Sequence, residues 1–339
     1  MARTLKHVAD AAGVSPATAS IVLNGRAQGR VSEEVASRVL AIAKELNYRP
    51  NLTARSLRTQ ESKTIGLISD QIATTPFAGQ MLAGAQDVAW HNGWLLLLVN
   101  TDDDKTFEDS ATKALKQRNV DGFIYASMYH REVVIPKTIS DQQVVLLDCF
   151  EQTGEHDSVV PDEYKGAKSA IKYLISKGHT KIAHITDKGN SFAAPERQRA
   201  YEEVLREHKI EIDSNYVVKN NGSDTAQGFE ATIKLLELKD RPTAIFAYND
   251  RMAFGAYEAI QELGLQVGLD VSIIGFDNQP YFADALRPGL TTVQLPHYEM
   301  GAWAAQRLLD QLQDSESNKT MQHRMDCQLV LRDSVGPAR

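Results

Sequence analysis

The stretch HVADAAGVSPATASIVLNG, residues 7–25, carries one charged side chain, Asp10, although it lies in the most basic part of the chain. Leu5, Val8, Ala9 and Ala12 form a helical stripe. Gly13 follows where a helix end commonly takes a left-handed residue. Ser15 then stands as an N-cap with Pro16 at the first helical position, opening a second helix whose inner face is Ala19, Val22 and Leu23 and which closes at Asn24-Gly25. Ser32 caps a third, with Val35, Val39, Ile42 and Leu46 on one side. Two short helices joined by a tight turn and buttressed by a third describe a helix-turn-helix, whose second helix enters the major groove of double-stranded DNA.

The uncharged outer positions suit that role. Pro16, Ala17, Ser20 and Ile21 offer short hydroxyl and apolar groups to base edges and thymine methyls. Arg3, Lys6, Arg26, Arg30, Arg49, Arg55 and Arg58 flank the motif and supply salt-dependent attraction to phosphates. Residues 1–60 hold nine Lys/Arg against four Asp/Glu, about +5, so the net charge of −7 leaves about −12 for the remainder. The two regions therefore face different partners. Periodicity alone would also fit any small three-helix domain.

The wording goes further. TLKHVADAAGVSPATASIVLNG, RVSEEVASRVLAIAKELNYRPN and ARSLRTQESKTIGLI together resemble the N-terminus of the lactose/galactose repressor (LacI/GalR) family of transcription factors. The resemblance implies DNA contacts at Thr4, Ser15, Pro16, Ala17, Thr18, Ser20 and Ile21, with Asn24 bordering the duplex. His7 departs from the family's usual Asp, and Ile21 from a frequent Arg, so the resemblance does not carry over the operator sequence. PNLTARSLRTQESKT, residues 50–64, reads as a linker with one short helix from about Asn51 to Arg58, too short to hold in water unaided. By resemblance this hinge helix forms when two copies pack on DNA. Arg55 is then at the DNA, and Leu57 wedges between base pairs from the minor groove. The alternative is that Leu57 anchors the linker on the body.

From Thr64 onward, β-rich runs alternate with helical patterns: TIGLIS, WLLLLV, GFIYA, VVLLD, KIAHI, TAIFAY and SIIGF. Such alternation means parallel sheets covered by helices on both faces. The pattern restarts at Asp162, which implies two similar lobes. The expected fold is thus α/β: a three-helix head, a hinge helix, and a two-lobed effector domain of doubly wound sheets similar to periplasmic binding proteins. Expected boundaries are 1–49 for the head, 50–61 for the hinge and 62–339 for effector binding and dimerisation. Lobe one takes 62–161 and about 293–325, and lobe two takes 162–292 and 326–339.

Open parallel sheets bind ligands at the carboxyl ends of their strands, so an effector belongs between the lobes. The resemblance places Pro76 and Phe77, Asp148, Arg197, Ser223, Asn249 and Asp277 there. Carboxylates with Asn and Arg suit vicinal hydroxyls, hence a sugar or sugar derivative, with a nucleobase as the other option. Rival readings stand beside several of these. Asp148 can serve only its own loop, Asp250 reads as the N-cap of the following helix, Arg199 competes with Arg197, and core packing explains Leu295 and His297 as readily. Ser223 falls where some members stack an aromatic, which implies a roomier pocket.

No nucleotide-binding glycine motif, P-loop or G-x-S-x-G occurs, so an enzyme is not expected. The two cysteines, Cys149 and Cys327, read as core thiols, and neither a metal nor a cofactor is implied. A periplasmic solute-binding protein would need a signal peptide where the basic head stands, and WLLLLV at 94–99 is far short of a membrane span. The expectation is a cytoplasmic, nucleoid-associated homodimer on a pseudo-palindromic operator, without a membrane partner. Leu57→Ala is expected to weaken operator binding, read by gel shift, while effector affinity measured by calorimetry stays at the wild-type value.

Overall fold

The structure is a computed structural model that describes residues 4–48, 61–75, 78–189, 191–313 and 319–339. Arg55, Leu57, Pro76 and Phe77 lie outside the described residues. The chain divides into a head ending at Ser62 and a body beginning at Lys63.

The head comprises α1 (Leu5–Ala12), α2 (Pro16–Leu23) and α3 (Glu33–Glu45). Each helix is stopped and started by local chemistry. Thr4 caps α1, with its own N–H given to Nδ1 of His7, so the histidine at this position closes a capping box. Gly13 turns left-handed at φ 65°, Ser15 accepts the Thr18 N–H at 3.0 Å, and Ser32 caps α3. Val8, Ala9, Ala12, Ala19, Val22, Val39 and Ala43 bury into one small core. Nε of Arg38 on α3 donates to the Ala12 carbonyl at 3.1 Å, which satisfies one of the acceptors left open at the end of α1.

The body begins with β1 (Thr64–Ser69), α4 (Gly79–His91), β2 (Leu95–Asn100), α5 (Lys105–Gln117), β3 (Gly122–Glu132), β4 (Val144–Phe150) and β5 (Asp157–Pro161). It continues with α6 (Glu163–Ser176), β6 (Ile182–Asp187), α7 (Ala193–Glu207), β7 (Val217–Asn220), α8 (Thr225–Leu236), β8 (Ala244–Ala247), α9 (Asp250–Glu262), β9 (Ser272–Asp277) and β10 (Thr291–Gln294). It ends with α10 (His297–Gln313), β11 (Gln322–Met325) and β12 (Gln328–Val330). One sheet runs β11-β5-β4-β3-β1-β2 and the other β12-β10-β9-β8-β6-β7. All neighbours are parallel except β10 and β12, so the short C-terminal strand is an antiparallel edge on an otherwise parallel sheet. The chain passes between the sheets three times: from β5 to α6, from β10 to α10, and from β11 to β12.

Both faces of each sheet are covered, as parallel strands require. Ile65, Leu67, Ile124 and Val145 pack against Met81, Met300 and Leu308, while Ile68, Phe123 and Leu146 face Leu115 on the other side. In the second lobe Ile185, Ile245 and Ile273 meet Leu235 and Met252, and Phe246, Ile274 and Phe276 meet Ile171, Leu174 and Tyr201. His184 belongs to this core. Its ring stacks on Phe246 at 4.8 Å, its Nδ1–H donates to the Phe246 carbonyl at 3.0 Å, and burial pulls its pKa down to about 4. Cys149 and Cys327 are free, buried thiols.

The same close-packing device appears in both lobes. Gly84 on α4 faces Gly301 on α10, and Gly228 on α8 faces Gly255 on α9. A Cβ at any of the four would overlap backbone of the facing helix: Tyr298, Met81, Met252 and Thr225 respectively. Backbone against backbone cannot relax by a rotamer change. Gly255→Ala is therefore expected to destabilise the body by about 1–3 kcal/mol or more, measured as a lowered urea midpoint. Gly79→Ala, in a helix with nothing near its Cβ, is expected to hold or gain up to about 1 kcal/mol.

Candidate effector cleft and DNA-reading face

The carboxyl ends of the strands from both sheets converge on one cleft. From the first sheet come His130 at the end of β3 and Asp148 at the end of β4. From the second side come Glu163, Arg197, Asn249 and Asp277. All five described residues expected at an effector site, Asp148, Arg197, Ser223, Asn249 and Asp277, line this cleft, as do Leu295 and His297.

Arg197 is held from four directions. Its Nε donates to Oε2 of Glu163 at 2.7 Å, with both side chains 3% exposed, and its Nη1 donates to the Tyr248 carbonyl. The guanidinium lies 3.6 Å from the Phe276 ring centroid and 4.6 Å from that of Tyr248. Tyr248 in turn shares a hydrogen bond with Ser191 at 3.1 Å. Arg199, the rival, projects to solvent and pairs with Glu196. Burial decides between them.

The capping expectation for Asp250 is corrected. Asn249 is the cap of α9: its Oδ1 accepts the Met252 N–H at 2.8 Å and its Nδ2 donates to the Ser223 carbonyl at 2.9 Å. Asp250 is the first helical residue and reaches below the cleft, accepting Thr292 Oγ1–H at 2.6 Å and Gln279 N–H at 2.7 Å. It thereby fixes the loop after β9, where Asp277 adopts φ 113° and receives the Gln279 amide at 3.1 Å. Burial pushes the carboxyls of both Asp250 and Asp277 above the usual carboxylate range.

Asp148 differs from all of these. It is 4% exposed, sits at φ 56°, and its Oδ1 has no hydrogen-bond partner among the described residues. It does not serve its own loop. Burial, reinforced by Glu163, Asp70 and Asp277, pushes its carboxyl well above the ordinary range. Nδ1 of His130 and Nε of Arg251 are likewise buried without partners, and both residues line the same cleft. Orphaned polar atoms are costly and rare in native proteins, and three of them fall around this one cavity. The cavity open to water is about 50 Å³, room for a few waters.

Glu163, Tyr248, Arg251 and His130 were not expected from the sequence. Glu163 opens the helix after the first crossing and Arg251 follows the Asn-Asp pair, but nothing local distinguishes them from solvated helix residues.

On the head, Ser15, Pro16 and Ala17 are exposed at the start of α2, and Thr18, Ser20 and Ile21 are half-buried along it. Ala19 and Val22 point into the core, leaving the uncharged face outward. Thr4 and Asn24 are exposed, with Thr4 capping α1. Asn24 spends its amide on the Ser20 carbonyl at 2.7 Å and Ser20 Oγ at 3.2 Å. No group of His, Cys, Asp and Glu among the described residues is arranged to hold a metal, and none of their helices is long and apolar enough to cross a membrane.

Residues 4–51 match the family described as bacterial regulatory proteins, lacI family, and residues 171–335 match a periplasmic binding protein-like domain. The HTH-type transcriptional repressor PurR of Vibrio vulnificus (strain CMCP6) is 32% identical over 342 residues, 98% of each chain. Among solved structures, the Lac repressor dimer bound to operator and the anti-inducer ONPF superposes with a TM-score of 0.80 at 27% identity, covering 98% of this chain and 99% of that one. The complex of the transcriptional regulator CelR with cellobiose gives 0.68 at 26% identity, covering 98% and 99%.

Asp148 also gives a sign-definite stability prediction. A carboxyl whose pKa is higher folded than unfolded loses stability as pH rises from the unfolded value near 4 toward the folded one, because over that window the unfolded state releases its proton while the folded state keeps it. Asp148→Asn, which tolerates a left-handed backbone, is expected to raise the melting temperature at pH 8 by the equivalent of about 1 kcal/mol or more. At pH 4 the two proteins are expected to converge, as followed by calorimetry.

Proposed function

The chain belongs to the lacI family of bacterial regulatory proteins, ligand-responsive DNA-binding transcriptional repressors, and from that premise we propose that it represses carbohydrate-utilisation genes in answer to a sugar or sugar derivative held between the lobes. The observation that carries this reading is the group of unmet hydrogen-bonding atoms: Asp148, His130 and Arg251 all hold buried polar atoms without partners among the described residues in one cleft. A polyhydroxylated molecule satisfies many such groups at once, each hydroxyl both donating and accepting. The cellobiose complex of a structural relative supports the same ligand class.

The acting form in this reading is a homodimer on a pseudo-palindromic operator, with α2 of each head in a major groove. One head reads only a half-site, too short for useful specificity over a genome. Dimerisation has physical support on the body. β2 is an unpaired edge of the first sheet, and Leu95 and Leu98 on it are exposed, as is Trp90 on α4, 71% accessible. The operator-bound dimer of the Lac repressor supports the same arrangement. In the hinge, Leu57 is the proposed minor-groove wedge and Arg55 a proposed DNA contact, and Pro76 and Phe77 are the proposed apolar wall of the effector site.

The test is fluorescence anisotropy on duplexes taken from upstream of the protein's own reading frame. Affinity is expected to fall log-linearly with rising salt as phosphate-bound counterions are released. The cognate sugar is expected to change it by roughly 5- to 150-fold, the usual range of allosteric coupling. In Asp277→Ala the sugar response is expected to vanish. A flat salt dependence, or a full sugar response in that variant, would overturn the reading.

A further inference from the structure

One of the two arginines lining the cleft has no salt-bridge partner among the described residues. Glu163 and Arg197 neutralise each other in a closed, fully buried pair. Asp250 is spent on Thr292 and Gln279 beneath the cleft, and Asp148, facing from the first lobe, is driven toward its neutral form by burial. Arg251, the second residue of α9, is the other arginine of the cleft. It makes no ion pair among the described residues, and its one hydrogen bond there is a long one, from Nη2 to Ser223 Oγ at 3.3 Å. Its Nε–H is buried with no acceptor. Asp277, whose Oδ2 accepts the Gln279 side-chain amide, lies near enough to offset part of the Arg251 charge but forms no ion pair with it among the described residues.

A guanidinium carries its charge at every ordinary pH and presents a planar fork of donors that matches the two oxygens of a carboxylate or the oxygens of a phosphate. A sugar hydroxyl offers one acceptor and no charge, so it leaves most of the fork's donors unmet in a half-buried site. Ser223 adjoins the fork, adding a hydroxyl donor and little bulk.

Resting on the cleft being the effector site, we propose that the effector carries an acidic group, a carboxylate or a phosphate, received by Arg251 with Ser223 beside it, while its hydroxyls meet Asp148 and Asp277. The repressor then senses a sugar acid or a sugar phosphate and discriminates against the neutral parent sugar. Arg251 is the specificity determinant.

The experiment is a thermal-shift and calorimetry series on the full chain with glucose, gluconate, glucuronate, glucose 6-phosphate, inorganic phosphate and adenine, at matched ionic strength. At least one sugar acid or sugar phosphate is expected to raise the melting temperature and to bind tenfold or more tightly than glucose; which of the two does so separates carboxylate from phosphate. Arg251→Gln is expected to cost that probe on the order of 10- to 100-fold, as loss of a charged hydrogen bond does, and Arg251→Lys to restore part of it. The acidic-group proposal is overturned if glucose or adenine stabilises more than every acid, if no acid shifts the melting temperature beyond the phosphate control, or if acid binding survives Arg251→Gln. Asp277→Asn separates the two levels of failure. A glucose or adenine shift abolished by that change keeps the cleft as the effector site and sinks only the acidic group. A shift indifferent to it sinks both.

Discussion

The buried pair of Arg197 and Glu163 is the constraint around which the second lobe's half of the cleft is arranged. A single guanidinium ties α7 to the first residue of α6, to the carbonyl at the end of β8 and to the Phe276 ring on β9. Two charges removed from water are tolerated only because hydrogen bonds and ring faces satisfy them. Removing one partner from such a pair typically costs about 3–5 kcal/mol. Glu163 begins the segment that crosses from the first sheet to the second, so the same pair also fixes where the chain enters the second lobe. The polar floor of the cleft and the topology of the body therefore share one interaction.

Around that fixed floor the strand ends are under tension. Asp148 at φ 56°, Asp277 at φ 113° and Asn278 at φ 50° hold backbone conformations that side-chain-bearing residues rarely adopt. Two of the three are cleft carboxylates. The surrounding bonds hold this geometry: Asp250 grips the Gln279 backbone, and Arg332 donates to the Asn278 side chain at 2.8 Å. Strain and an orphaned polar atom coincide at Asp148, where stability is given up for readiness to bind.

Most of the head was legible because its determinants are local. Caps at Ser15 and Ser32, the left-handed Gly13 and the apolar stripes act within a turn or two, and the structure repeats them residue for residue. The strands were legible for a related reason, since buried parallel strands are nearly continuous apolar runs. What escaped depends on distant partners. Asp250 looked like a cap because Asx residues at helix starts usually are caps; here Asn249 takes that place one residue earlier, and Thr292, 42 residues away, claims Asp250. Arg197 and Arg199 are indistinguishable along the chain and separate only once Phe276 and Glu163 are folded over one of them. The antiparallel β12 is three residues long and carries no periodicity that could announce its direction.

The cleft also explains how a small molecule could move the lobes. Specific contacts cross it: the Phe192 N–H of the second side donates to the His130 carbonyl at 3.3 Å, and the Phe192 ring meets Phe150 edge-on at 4.8 Å. With these contacts made, the cavity has space for little more than water, while three polar atoms beside it lack partners. The lobes are linked by three short crossings, so parting them bends a few residues and leaves both sheets and the glycine-packed helix pairs intact. In the proposed reading a ligand displaces the aromatic clasp on entry and satisfies the orphaned atoms once inside. Its affinity then differs between the two lobe arrangements, and a difference of that kind is the only means by which binding can shift a conformational equilibrium.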